Sequence, residues 1–278
     1  MSNTIPPHVV DDCRGVLHVY SDGSIVRSSK PSFEVPVNDD GSVLWKDVVF
    51  DAVNNLQLRL YKPADFSPSS ASKLPVFYYI RGGGFCIGSR AWPNCQNYCF
   101  RLASELRAVV VSPDYRMAPE SRLPAAIEDG FMAMKWLQAQ AVSDEPDSWL
   151  TEVADFGNVF ISGDSAGGNI AHNLAVRLGS GSPELAPVRV RGYVLLAPFF
   201  GGTVRTKCEA EGPKDAFLNL ELIDRAAEYA MRLKNWGKKI KYVEFEGKQH
   251  GFFTIDPNSD AANVLMQIIQ HFMAENSS

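Results

Sequence analysis

The sequence predicts an α/β protein, a mostly parallel central sheet with helices on both faces, and three observations carry that prediction. Short β-rich runs alternate with helix-length stretches along most of the chain. The later runs are almost continuously apolar, as strands buried on both faces are. One strand-to-helix junction carries a serine between small residues, GDSAGGN.

The elements follow in order. Residues 11–43 are mixed in character and are expected to pack over the sheet as a cap. WKDVVF (45–50) and LQLRLY (56–61) flank a DAVNN turn and predict an antiparallel hairpin. PVFYYI (75–80), AVVVSP (108–113), NVFISG (158–163), RGYVLLA (191–197) and KIKYVEF (239–245) read as further strands. Helices are expected at 124–140 and 169–178, and a helical pattern precedes Trp236. SPSSASK and GSGSPELAP read as exposed loops. The predicted organisation is a single domain, with residues 1–43 as an N-terminal cap segment and 44–278 as the core.

Composition narrows the function. With 278 residues, 45% of them hydrophobic, the chain is long enough to bury a large core. A net charge of −5 and the lack of a basic run argue against nucleic acid or an anionic membrane as partner. YVLLAPFF is too short to cross a bilayer, and the N-terminus has no secretory pattern. Cys13, Cys86, Cys95, Cys99 and Cys208 form no CxxC pair and no metal-like spacing with the histidines. Reduced thiols are expected, in the cytoplasm and secondarily the nucleus, with no metal and no cofactor.

Chemistry concentrates at Ser165. A tight turn out of a buried strand exposes its hydroxyl, and the following helix aims its N-terminal amides at the same point. Such a hydroxyl needs a base. His8 and His18 lie in the N-terminal segment, His271 on the C-terminal helix, and His172 two helical turns beyond the serine. His250 follows the last strand pattern, so it is expected at the C-terminal edge of the sheet, where parallel α/β proteins build their sites. The glycine run IRGGGFCIG sits at the end of another strand. Its bare backbone suits an oxyanion, with the amides of Gly83, Gly84 and Ala166 as donors.

GGGF, SPDYRMAPESRLPAA, GDSAGGN and HGF, in that order, resemble the plant carboxylesterases of the hormone-sensitive-lipase group, relatives of the gibberellin receptors. The resemblance implies an α/β-hydrolase fold, a Ser–His–acid triad and hydrolysis of small carboxylic esters. It gives Asp114, Tyr115, Arg116 and Glu120 supporting roles.

Two departures stand out. Arg81 replaces the family's histidine, and a buried guanidinium must find a carboxylate or water. The strand that supplies the triad acid is not found: the family position aligns with Leu220, and roughly 50–60 residues are missing, enough for a strand and its connections. Asp215, Glu221 and Asp224 are the substitutes in sequence. The last strand then either slides into the vacant place or leaves the sheet edge open. The expected function is an ester hydrolase impaired by loss of its acid. The alternatives are a small-molecule-binding pseudo-hydrolase and an inactive truncated product.

Overall fold

The computed structural model describes residues 6–13, 15–31, 35–66, 73–179, 182–202 and 221–277. Leu220, Asp215 and Cys208 lie outside them. Nine strands and seven α-helices are present among the described residues. The strands are β1 (Val9–Cys13), β2 (Leu17–Tyr20), β3 (Ile25–Arg27), β4 (Val43–Asp51), β5 (Leu56–Pro63), β6 (Leu74–Ile80), β7 (Val109–Pro113), β8 (Ala154–Asp164) and β9 (Val190–Leu196). The helices are α1 (Pro93–Glu105), α2 (Ala125–Val142), α3 (Ser148–Val153), α4 (Ala166–Leu178), α5 (Glu221–Asn235), α6 (Phe252–Ile255) and α7 (Asp260–Asn276).

Six strands form the central sheet in the order β4-β5-β7-β6-β8-β9. The DAVNN hairpin pairs β4 and β5 antiparallel, and β5 also runs antiparallel to β7. From β7 to β9 every pairing is parallel. Alternate residues of each strand serve two cores, because successive side chains leave opposite faces. Tyr78 and Ile80 pack with α2 and α4 on one face, while Phe77 and Tyr79 pack with α1 and α7 on the other.

Residues 11–43 hold more order than their mixed composition suggests. β1, β2 and β3 form a separate antiparallel sheet. Its apolar face (Val16, Leu17, Ile25) meets Ile87 and Trp92, so it rests on the loop after β6. Arg27 fixes this contact: it donates to both oxygens of Glu120, at 2.6 and 2.8 Å, and to the carbonyls of Cys86 and Ala118.

One predicted strand does not form. Residues 239–245 run without a strand partner among the described residues, and β9 ends the sheet. The last segment has not slid into the vacant place. A β-rich run becomes a strand only when a neighbouring strand supplies its hydrogen bonds, and no described strand pairs with it.

Candidate active site

Ser165 stands between β8 and α4 at φ +52° and ψ −118°, outside the usual regions for a residue with a side chain. The turn is held from both sides. The Ser165 amide donates to the Leu196 carbonyl at 2.9 Å, and the Ser165 carbonyl accepts from Phe199 and Asn169. The flanking glycines are required by space. A Cβ at Gly163 would lie 2.3 Å from the Gly167 carbonyl oxygen, and one at Gly167 would lie 1.9 Å from that of Ile80. The motif is thus a packing solution that brings α4 hard against the ends of β6 and β8.

The glycine loop after β6 is wound around Arg81, which is only 3% exposed. Its Nε donates to Asp114 at 2.9 Å, and its Nη1 donates to the carbonyls of Gly82 and Ile87 at 3.0 and 2.9 Å. The guanidinium also stacks over the Tyr115 ring. Burial works against its charge, but Tyr115 and Asp114 outweigh burial and hold its pKa above the ordinary arginine value. Asp114 is in turn bound by Arg90, at 2.6 Å through Nη1 and 2.8 Å through the amide. Burial pushes the Asp114 carboxyl up, yet the two arginines leave it below the usual carboxylate range. The replacement of histidine by Arg81 therefore has its carboxylate, as buried charge requires.

The other supporting residues sit around this loop. The Tyr115 hydroxyl lies 3.0 Å from the Gly82 carbonyl oxygen and donates to it. Arg116 grips the buried Asp129 through its amide and side chain. Glu120 is the anchor for Arg27.

Asp164, the residue before the serine, has a task that sequence reading missed. Its Oδ1 accepts from the Tyr79 hydroxyl at 2.7 Å and from the Gly82 amide at 2.8 Å. Burial raises its pKa against these two hydrogen bonds. The acid in GDSAG was the available signal: a carboxylate beside a buried turn must be spent on nearby amides. The Gly82 amide is thereby taken. No described residue accepts from the amides of Gly83, Gly84 or Ala166. Gly83 has φ +118°, a backbone conformation that side-chain residues rarely adopt.

Ser165, Gly82, Gly83, Gly84 and His250 all line one cavity of about 1460 Å³, while Ala166 is fully buried behind the serine. His250 lies in the turn before α6, and burial pushes its imidazole down to about 4. Among the described residues, no carboxylate stands within ion-pair distance of it. His172 faces elsewhere: its Nδ1 meets the Tyr229 hydroxyl at 2.9 Å, in an aromatic group with Phe200 that docks α5 on α4. Cys95 and Cys99 are buried free thiols, and Cys13 and Cys86 are half-buried. No helix among the described residues is long and apolar enough to cross a membrane.

A family model described as the α/β hydrolase fold matches residues 77–221, just over half of the chain. The chain belongs to this family. Within it, its similarities lie with plant carboxylesterases of the hormone-sensitive-lipase-like group. It is 40% identical to probable carboxylesterase 6 of Arabidopsis thaliana over 226 residues, covering 81% of this chain and 66% of that protein. It is likewise 40% identical to carboxylesterase 20 of the same plant, covering 68% of this chain and 58% of the relative. The chain thus spans less than two thirds of the length of either relative. Against probable carboxylesterase 5, also from Arabidopsis, the match is 29% over 315 residues and includes 94% of this chain and 96% of the relative. More than fifty positions of that match face no residue here. Among solved structures, EstE1, a thermophilic carboxylesterase cloned from a metagenomic library, superposes with a TM-score of 0.70 at 24% identity. That match covers 88% of this chain and 92% of EstE1, and it supports the fold.

Proposed function

We propose that this hydrolase-fold protein cleaves small carboxylic esters through Ser165, with turnover reduced by the lack of a triad acid. The observation that carries the reading is the strained Ser165 turn opening into the cavity that His250 and the glycine loop share. Ser165 Oγ attacks the ester carbonyl, and His250 takes the hydroxyl proton and returns it to the leaving alcohol. The amides of Gly83, Gly84 and Ala166 receive the negative charge on the carbonyl oxygen. Their freedom from other acceptors favours this role.

The reduced turnover rests on His250. A carboxylate partner would orient the imidazole and favour its protonated form. With none among the described residues, burial holds it at about 4, well below the useful range for a base at neutral pH. The family match stops at residue 221, next to Leu220 where the acid is expected, and probable carboxylesterase 5 carries positions that this chain lacks. In serine hydrolases, removing the acid lowers turnover by about 10⁴-fold and leaves the oxyanion contribution in place.

Hydrolysis of p-nitrophenyl butyrate tests the reading. Slow turnover that disappears in Ser165→Ala is the expected result. Turnover unchanged by Ser165→Ala would remove Ser165 from the chemistry. Saturable binding of a small ester without any turnover would favour the non-catalytic binding protein instead.

A further inference from the structure

The cavity that begins at Ser165 extends along the outer edge of β9, and its walls define its shape. β9 lines it through Tyr193 and Leu195, and residues 238–245 line it as well. Helix α5 contributes Tyr229 and Leu233, and α7 contributes Ile269 and Phe272. A space that runs along a strand edge and is walled by residues 238–245 and two helices suits one further β-strand.

The backbone of β9 strengthens this reading. The Leu196 carbonyl accepts from the Ser165 amide and the Val194 carbonyl from the Ser162 hydroxyl, so these residues turn their backbone groups toward β8. Alternation then turns the amide and carbonyl of Tyr193 and Leu195 outward into the cavity. No described strand pairs with them. The Tyr193 hydroxyl is also buried with no partner among the described residues, and burial pushes its pKa up to about 12. A hydrocarbon ligand would leave these groups unsatisfied, whereas an extended peptide supplies alternating donors and acceptors.

The rim adds a charge preference. Among the described residues, Lys238, Lys239, Lys241 and Lys248 line the cavity beside Glu244, although the whole chain carries net charge −5. We propose that the β9 edge is a docking slot for one extended, β-branched peptide strand with acidic flanks, contributed by a partner protein and bound by strand addition to the sheet. The proposal is independent of the chemistry at Ser165. The backbone ladder supplies affinity, the two helix faces select apolar side chains, and the lysines select the flanks.

The test uses the full chain and a fluorescein-labelled decapeptide, Glu-Glu-Thr-Val-Val-Val-Thr-Val-Glu-Glu, read by fluorescence anisotropy. Saturable binding is expected, weakened about tenfold or more when alternate residues of the peptide are N-methylated on the edge that meets β9. The methylated peptide keeps its apolar and acidic groups but lacks the ladder donors. Lys239→Glu combined with Lys241→Glu is expected to weaken binding about fivefold at low salt and less at high salt. Absence of binding overturns the proposal, as does equal binding of the methylated peptide, which would mark a merely greasy groove. A concentration-dependent dimer in sedimentation that the peptide does not disrupt also overturns it, since a second copy would then cover the edge.

Discussion

Replacing Arg81 by methionine removes the cation around which the glycine loop is built while keeping most of its apolar stem. The side chain is 4% exposed, so water does not take over its bonds. Five are lost: one to the Asp114 carboxylate at 2.9 Å, two to the carbonyls of Gly82 and Ile87 at 3.0 and 2.9 Å, and weaker ones to the Tyr115 hydroxyl and the Met117 sulfur. Asp114 keeps Arg90 on its other side, which spares the full penalty of an unpaired buried charge. Breaking one side of a buried ion pair costs about 3–5 kcal/mol, and the retained Arg90 places the expected loss at the lower end, about 3 kcal/mol. Urea unfolding monitored by circular dichroism measures it as a lower midpoint at unchanged slope. Adding Asp114→Asn is expected to cost at least about 1 kcal/mol less than the two single losses combined, because both act on one network. An Arg81→Met protein within about 1 kcal/mol of wild type would refute this account of the loop.

Other outcomes follow from the same geometry. Gly167→Ala places a Cβ 1.9 Å from the Ile80 carbonyl oxygen, so α4 must move by more than 1 Å. It is expected to cost about 1–3 kcal/mol and to cut ester turnover about 10²-fold, measured by melting and by p-nitrophenyl butyrate hydrolysis. His250 titrates near 6.5 when unfolded and is held down to about 4 by burial when folded. Its contribution is therefore full above pH 6.5 and is lost as pH falls from 6.5 to 4, by up to about 3 kcal/mol. His250→Phe should flatten stability across that window in pH-dependent unfolding. Arg27→Ala releases the N-terminal sheet from Glu120 and the Cys86 carbonyl. Proteolysis near residue 27 is expected to quicken while the core melting temperature changes little.

Much of the fold was legible because it follows from local pattern. The hairpin, the run of parallel strands and the serine turn each need only a few adjacent residues to declare themselves. The GDSAGG glycines were legible for the same reason, since close helix–strand approach excludes side chains. The β1–β3 sheet was not, because its strands are only three to five residues long and, Leu17 apart, no more than partly buried. Residues 239–245 failed in the opposite direction. Their β-rich composition was correct, but composition does not tell whether a neighbour exists to pair with.

At the site, the sequence pointed to Ser165, His250 and the glycine loop, and all of these face the same cavity. The demand that Arg81 find a carboxylate was also legible from charge alone, and Asp114 meets it. The grip of Asp164 on the Gly82 amide was hidden, because it joins residues 82 positions apart. The edge beyond β9 was half legible: the sequence offered either a shift of the last strand or a gap. Among the described residues no strand pairs on the outer edge of β9, and residues 239–245 have not shifted there.

The central claim is that Ser165 is a nucleophile aided by His250, and covalent labelling tests it without requiring full turnover. Wild-type protein treated with a fluorophosphonate is expected to gain one adduct by intact mass, located on Ser165. Labelling is expected to slow at least tenfold in His250→Ala and to vanish in Ser165→Ala. No adduct on the folded wild-type protein, or an adduct that survives Ser165→Ala, would contradict the account.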